Sequence, residues 1–280
     1  MKTLFFILLL LISFPLLAVC DGTSETIRFN DPVNKGQFEI EGRSYRPARD
    51  KFPVVFILPP IVGETPLDGA LGVNLCLNGF GAYILNVLND PPESEQVSNL
   101  NVHEDTLIRA EFAVSKWIEK LSSDPAVNGN FGIVGASQGG IISSYLAGIL
   151  PEIKAIVLIA ASGNVARVLA TSSQDSVASL REKRLEFFKL SSVSEYEKLM
   201  RPWITLDPLN VARNIPAGSS LLFIMTKDTD VPTVNQRELA SALKSPQVIT
   251  LSQSHIPGIV EAATLRSGEI IDFLKEKLEE

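Results

Sequence analysis

The sequence predicts an α/β fold: a mostly parallel, doubly wound sheet of about eight strands. Three observations carry this. Residues 24 to 52 hold two short stretches with strictly alternating apolar and polar residues. Six short, continuous apolar runs follow. Helical stretches separate those runs. Alternation suits antiparallel strands with one wet face, whereas a continuous apolar run suits a parallel strand covered on both faces.

Taken in order, Thr26-Ile27-Arg28-Phe29 and Phe38-Glu39-Ile40-Glu41 are the alternating strands. The buried runs are Val54 to Leu58, Tyr83 to Leu88, Phe131 to Val134, Ala155 to Ala161, Leu221 to Met225 and Val248 to Leu251. A helix is expected from about Glu104 to Leu121, because Leu107, Phe112, Val114, Trp117 and Ile118 form one apolar stripe. A last helix is expected from about Val260 to the C-terminus. About sixty residues separate the runs at 155–161 and 221–225, far more than an ordinary return between parallel strands. Residues 165 to 205 within them are helix-prone and carry Leu180, Leu185, Phe187, Phe188, Tyr196 and Trp203. Pro202 and Pro208 end that pattern. Long insertions often carry binding function, so residues 164–206 are expected to form a helical cap whose aromatic residues line a pocket. No internal repeat, linker or low-complexity segment divides residues 21–280, which read as one domain.

Composition narrows the function. Of the 280 residues, 45% are hydrophobic and 20% charged, which excludes a disordered chain. A net charge of -7 opposes nucleic acid or an anionic bilayer surface as a charge-held partner. With two cysteines, Cys20 and Cys76, neither a disulfide framework nor a cysteine-rich metal site can be assembled. The two histidines, His103 and His255, cannot make a three-histidine metal site.

Lys2 and the apolar run from Leu4 to Val19 have the layout of a secretory signal. The run is short for a membrane span, contains Pro15 and stops at Cys20 and Asp21. Leu17-Ala18-Val19-Cys20 resembles a bacterial lipobox, although Val19 stands where a small residue is usual. One expectation is therefore a signal over residues 1–20 and membrane attachment through lipid on Cys20. The alternatives are cleavage after Cys20, giving a soluble secreted protein, and an uncleaved anchor. Each places the chain outside the cytoplasm, at the cell surface, in the periplasm or secreted. The chain contains no Asn-x-Ser/Thr sequon.

The most informative stretch is Phe131-Gly132-Ile133-Val134-Gly135-Ala136-Ser137-Gln138-Gly139-Gly140. A buried strand runs into Gly-x-Ser-x-Gly, and a helix begins by Ile141. Such a turn lifts the Ser137 hydroxyl above the sheet, and a side chain at Gly135 or Gly139 would collide with its neighbours. The helix points unpaired N–H groups towards developing negative charge. A serine hydroxyl needs a histidine to take its proton and a carboxylate to hold that histidine's tautomer. His255 lies in the loop after the strand Val248 to Leu251, where a general base belongs. His103 precedes the nucleophile and reads as an exposed residue at a helix start. Asp228 and Asp230 both follow the strand Leu221 to Met225 and are the candidate acids.

Gly135-Ala136-Ser137-Gln138-Gly139, Asp228 with Val231-Pro232, and His255 resemble the α/β-hydrolase superfamily over nearly the whole mature chain. The strand-helix elbow also resembles its dienelactone-hydrolase-like and carboxylesterase branches. The resemblance implies the α/β-hydrolase fold and a serine hydrolase that cleaves a carboxylic ester or related acyl bond through an acyl-enzyme on Ser137. It implies Asp228, in a D-x-x-V-P turn, as the acid, and leaves Asp230 as a turn residue. It implies no cofactor and a small ester or acyl substrate. The family's His-Gly after the third strand is replaced by Leu58-Pro59-Pro60-Ile61-Val62-Gly63, and proline has no N–H to offer. The backbone N–H groups of Gln138 and Ile61 are then the expected oxyanion donors. Alternatives are an acyltransferase using the same triad, a peptidase, or an inert fold that binds at the cell envelope.

Overall fold

The computed structural model describes residues 20–87 and 92–279; the expected signal over residues 1–19 lies outside the described residues. The eight strands are β1 (Thr23–Asn30), β2 (Gln37–Tyr45), β3 (Phe52–Leu58), β4 (Gly81–Leu85), β5 (Val127–Ala136), β6 (Ile153–Ile159), β7 (Ser220–Met225) and β8 (Gln247–Leu251). They form one sheet in the order β1-β2-β4-β3-β5-β6-β7-β8. β1 pairs antiparallel with β2, and β2 with β4; every later pair is parallel. The boundary follows the sequence pattern. β2 buries alternate residues, whereas β3 and β4 are buried throughout. The β1–β2 register sets Phe29 opposite Phe38, with ring centroids 5.3 Å apart.

Helices cover both faces. α1 (Pro66–Leu77) follows β3; the short α2 (Glu93–Gln96) and long α3 (Val102–Ser122) precede β5; α4 (Gln138–Ile149) follows it. Between β6 and β7 lie α5 (Val165–Thr171), α6 (Asp175–Phe187), α7 (Val193–Met200) and α8 (Pro208–Val211). The chain ends with α9 (Thr233–Ala242), α10 (His255–Ala263) and α11 (Ser267–Leu278). α3, α4 and α9 bury Leu107, Trp117, Ile142, Leu146 and Leu239 against one face. α1, α10 and α11 bury Leu75, Ile259, Phe273 and Leu274 against the other. On α3 the stripe Leu107, Val114, Trp117 and Ile118 is buried as expected, and Phe112 packs half-buried against Phe29, ring centroids 4.9 Å apart.

The C-terminal helix expected from Val260 is two helices, and the first already begins at His255. Pro257 and Gly258 read as loop residues. Proline is nevertheless tolerated in a helix's first turn, where its missing N–H has no intrahelical partner to lose.

Cys20 is joined to Cys76, on α1, by a disulfide with the Cα atoms 5.9 Å apart. Two cysteines make no framework, but they make this one bridge, which the sequence reading left out. The bridge also corrects the reading of Cys20: a sulfur spent in a disulfide cannot carry a thioether-linked lipid, and cleavage after Cys20 would remove it. The two mature ends expected from the sequence and this bridge therefore exclude one another. The bridge closes a loop of 56 residues, a constraint on the unfolded chain of about 4 kcal/mol in the chain-entropy account. Cys76→Ser is expected to lower the denaturation midpoint accordingly. Thiol titration of the unfolded protein is expected to find no free cysteine until reductant is added.

Candidate active site

β5 is the central strand of the parallel portion, flanked by β3 and β6, and Ser137 stands where it turns into α4. Its backbone is at φ 54° and ψ -122°, a region that non-glycine residues rarely occupy. The flanking glycines explain how the turn closes. A Cβ on Gly135 would lie 2.3 Å from the Gly139 carbonyl oxygen and from Ser143 Oγ. One on Gly139 would lie 2.1 Å from the Leu58 carbonyl oxygen. The loop after β3 therefore rests directly on the elbow.

Ser137, Asp228 and His255 come together as the sequence predicts. Ser137 Oγ is 2.9 Å from His255 Nε2, and His255 Nδ1 is 2.7 Å from Asp228 Oδ2. All three residues are buried. With Nδ1 donating to Asp228, Nε2 is left as the acceptor for the Ser137 proton. Asp228 is itself held. Its Oδ1 accepts from the backbone N–H of Asp230 at 2.9 Å and of Val231 at 3.0 Å. Its Oδ2 accepts from Gln236 Nε2 at 2.9 Å. Gln236 went unread in the sequence. Its amide also donates to the Val231 carbonyl (2.7 Å) and accepts from the Met225 N–H (3.0 Å), so it locks the acid turn to the end of β7. Nothing in the order of residues marks it, because the link runs from the second turn of α9 back to a strand end. Asp230 accepts from Ser173 Oγ at 2.5 Å and makes no contact with His255.

The N–H of Gln138 is at the first position of α4, where no intrahelical acceptor is available. Ile61 lies in the turn Pro60-Ile61-Val62-Gly63, closed by a 2.9 Å bond from the Gly63 N–H to the Pro60 carbonyl; Gly63 has φ +81°. Ile61, Ser137 and Gln138 line the same small cavity.

Three cavities meet here. One of about 360 Å³ holds Ser137 and His255 between apolar walls from Ile61, Leu67, Leu71, Ile256 and Ile259. Its charged lining is Asp68, Asp175 and Asp230, and no lysine or arginine is among the described residues that line it. Asp68 is buried, with Oδ2 accepting from Thr65 N–H (2.7 Å) and Oγ1 (2.6 Å), and burial pushes its carboxyl above the usual carboxylate range. Arg181, on the same helix as Asp175, is turned to the Ser172 carbonyl at 2.8 Å. A cavity of about 90 Å³ lies on the Gln138 side of the nucleophile, and one of about 570 Å³ lies beyond it, between α3, α6 and α7.

The inserted segment is stapled at both ends. Asp207 accepts from the N–H groups of Asn164 (3.0 Å) and Val165 (2.7 Å), and Glu104 on α3 accepts from Thr205 and Leu206 N–H. Arg184 is buried and gives its guanidinium to the carbonyls of Gln96 and Asn99, to Tyr196 Oη and to Met200 Sδ. The expected aromatic lining holds for Tyr196 and is corrected for Phe187 and Phe188. Phe187 is 56% exposed, Phe188 packs against a neighbouring cluster, and neither lines any of these three cavities. Leu169, Val177, Leu180 and Tyr196 line the larger cavity instead. His103 is at a helix start as expected, but its Nε2 is buried rather than exposed.

Residues 114–242, somewhat under half of the chain, match the family model described as "BAAT / Acyl-CoA thioester hydrolase C terminal". No curated protein sequence matches the chain. Among solved structures it is similar to an acylaminoacyl peptidase of Pyrococcus horikoshii, at 16% identity and a TM-score of 0.67 over 95% of this chain. The chain spans only 43% of that enzyme's length. It is similar also to an esterase of Pyrococcus furiosus (14% identity, TM-score 0.62, 92% of this chain and 94% of that one). Est1E from Butyrivibrio proteoclasticus gives 12% identity and a TM-score of 0.63 over 90% of this chain and 98% of that one. The strand order, the elbow and these likenesses agree: the chain has the α/β-hydrolase fold.

Proposed function

We propose that this chain is a serine hydrolase that cleaves a carboxylic ester through an acyl-enzyme on Ser137. The observation that carries the reading is the unbroken relay from Ser137 Oγ through His255 to Asp228, at 2.9 and 2.7 Å. Ser137 attacks the carbonyl as His255 takes its proton. The oxyanion is met by the N–H groups of Gln138 and Ile61. His255 then protonates the leaving group, and a water deprotonated by His255 releases the acid. Asp228 stays a carboxylate throughout and steadies the imidazolium. The inserted helices act as a cap that walls the cavities on the Gln138 side.

The family description and the neighbours' names support acyl chemistry, and the site favours one leaving group over another. The proton from His255 goes to the leaving group, so that group lies in the cavity that His255 lines. Three aspartates line this cavity, which repels a polyanionic leaving group such as coenzyme A. An uncharged alcohol fits better. Export is part of the proposal: the apolar run after Lys2 and the Cys20–Cys76 bridge both suit an oxidising compartment. Among the described residues no helix is long and apolar enough to cross a membrane.

The test compares one acyl group on two leaving groups. kcat/KM for a p-nitrophenyl ester is expected to exceed that for the matching coenzyme A thioester by at least about tenfold, allowing for intrinsic reactivity. A preference for the thioester would overturn the leaving-group assignment.

A further inference from the structure

His103 takes no part in the relay, and the mechanism above does not use it. It stands in the first turn of α3, and its ring lines both the cavity of about 90 Å³ shared with Ser137, Gln138 and Ile61 and the larger cavity beyond. Its Nε2 is buried with no hydrogen-bond partner. Burial pushes the imidazole below its ordinary range, against the opposing pull of Glu104, Asp207 and the Leu206 backbone. A neutral imidazole donates from one ring nitrogen and accepts at the other, so Nε2 can take either role. A buried polar atom without a partner is uncommon enough in a native fold to need a reason.

The position supplies one. His255 lines the cavity of about 360 Å³ and neither of the other two, so the leaving group occupies the first and the acyl group extends past Gln138 towards His103. Arg184, the cation that lines the larger cavity, has spent its donors on protein acceptors. We infer that His103 is a specificity-determining residue that hydrogen-bonds a hydroxyl or amide on the acyl group.

The inference rests on the ester-hydrolase reading for the placement of the acyl group, and binding separates the two. In the full chain carrying Ser137→Ala, NMR titration gives Kd for methyl butyrate, methyl 3-hydroxybutyrate and methyl N-acetylglycinate. At least one donor-bearing ester is expected to bind about tenfold or more tighter than methyl butyrate. That ratio is expected to fall towards one when His103→Phe is added. It is expected to survive in part with His103→Gln, whose amide keeps both a donor and an acceptor. Equal affinity for all three esters in the His103-bearing protein overturns the inference, whatever the fate of the Phe variant. A preference that persists in a folded His103→Phe protein, checked by circular dichroism, overturns it too. Turnover of p-nitrophenyl esters by the unsubstituted enzyme reads the hydrolase assignment separately.

Discussion

Turnover of an activated ester is expected to fall about a millionfold in Ser137→Ala. The size follows from how the site is built. Ser137 Oγ is the one hydroxyl within hydrogen-bonding distance of His255 Nε2 among the described contacts, so no neighbour can replace it. Its neighbour Ser143 lies behind Gly135, against the strand rather than facing the cavity, and is fully buried. A residual rate above water is expected, because the N–H groups of Gln138 and Ile61 and the cavity walls remain. Folding is expected to be little changed: alanine meets the same φ of 54° that serine does, and the Ser137 side chain caps no backbone group. Steady-state kinetics with a melting curve on the same preparation check both statements. A loss of less than about a hundredfold in folded protein would mean that another nucleophile carries the reaction.

The second large effect is at the acid. Asp228→Asn is expected to lower turnover by about ten-thousandfold, while Asp230→Asn stays within about tenfold. The hydrogen bonds show why. One oxygen of Asp228 meets two backbone N–H groups, from Asp230 and Val231; the other meets Gln236 Nε2 and the ring N–H of His255. All four partners present hydrogen, and a carboxylate accepts on both oxygens. An asparagine has to turn its NH₂ towards one pair. If it faces His255, the ring must move its proton to Nε2 and can no longer take the proton of Ser137. Asp230, by contrast, accepts from Ser173 Oγ, a bond that an amide oxygen retains. Turnover on one activated ester, with circular dichroism of both variants, decides it. A dead Asp230→Asn beside an active Asp228→Asn would contradict the assignment.

Much of this molecule is legible in its sequence because its strands obey two different rules. Gln37–Tyr45 alternates since one side meets water, and Phe52–Leu58 does not since neither side does. The elbow is legible because only glycine fits where a Cβ on Gly135 or Gly139 would come within 2.1 to 2.3 Å of a backbone oxygen. The triad followed from the order of strands and the residues just after them. What escaped depends on contacts between distant parts of the chain. Cys20 and Cys76 are 56 residues apart, and the first lies at the edge of the apolar run, where a processing signal competes for it. Gln236 acts through a strand end and a turn that only the fold brings beside it. Phe187 and Phe188 end α6, whose apolar residues form no single stripe, so composition could not say which way they point. His103 looks like a polar helix-start residue until α6 and the turn at Leu206 close over it.

The central claim is that Ser137 is a nucleophile activated by His255, and covalent labelling tests it most directly. A fluorophosphonate probe is expected to modify the native protein at a single residue. Peptide mapping is expected to find that residue in the segment that follows Asn130 and carries Gly135-Ala136-Ser137-Gln138-Gly139. Labelling is expected to vanish in Ser137→Ala and to slow by orders of magnitude in a folded His255→Ala protein. An unlabelled Ser137 in folded protein, or a label on another residue, would contradict the account.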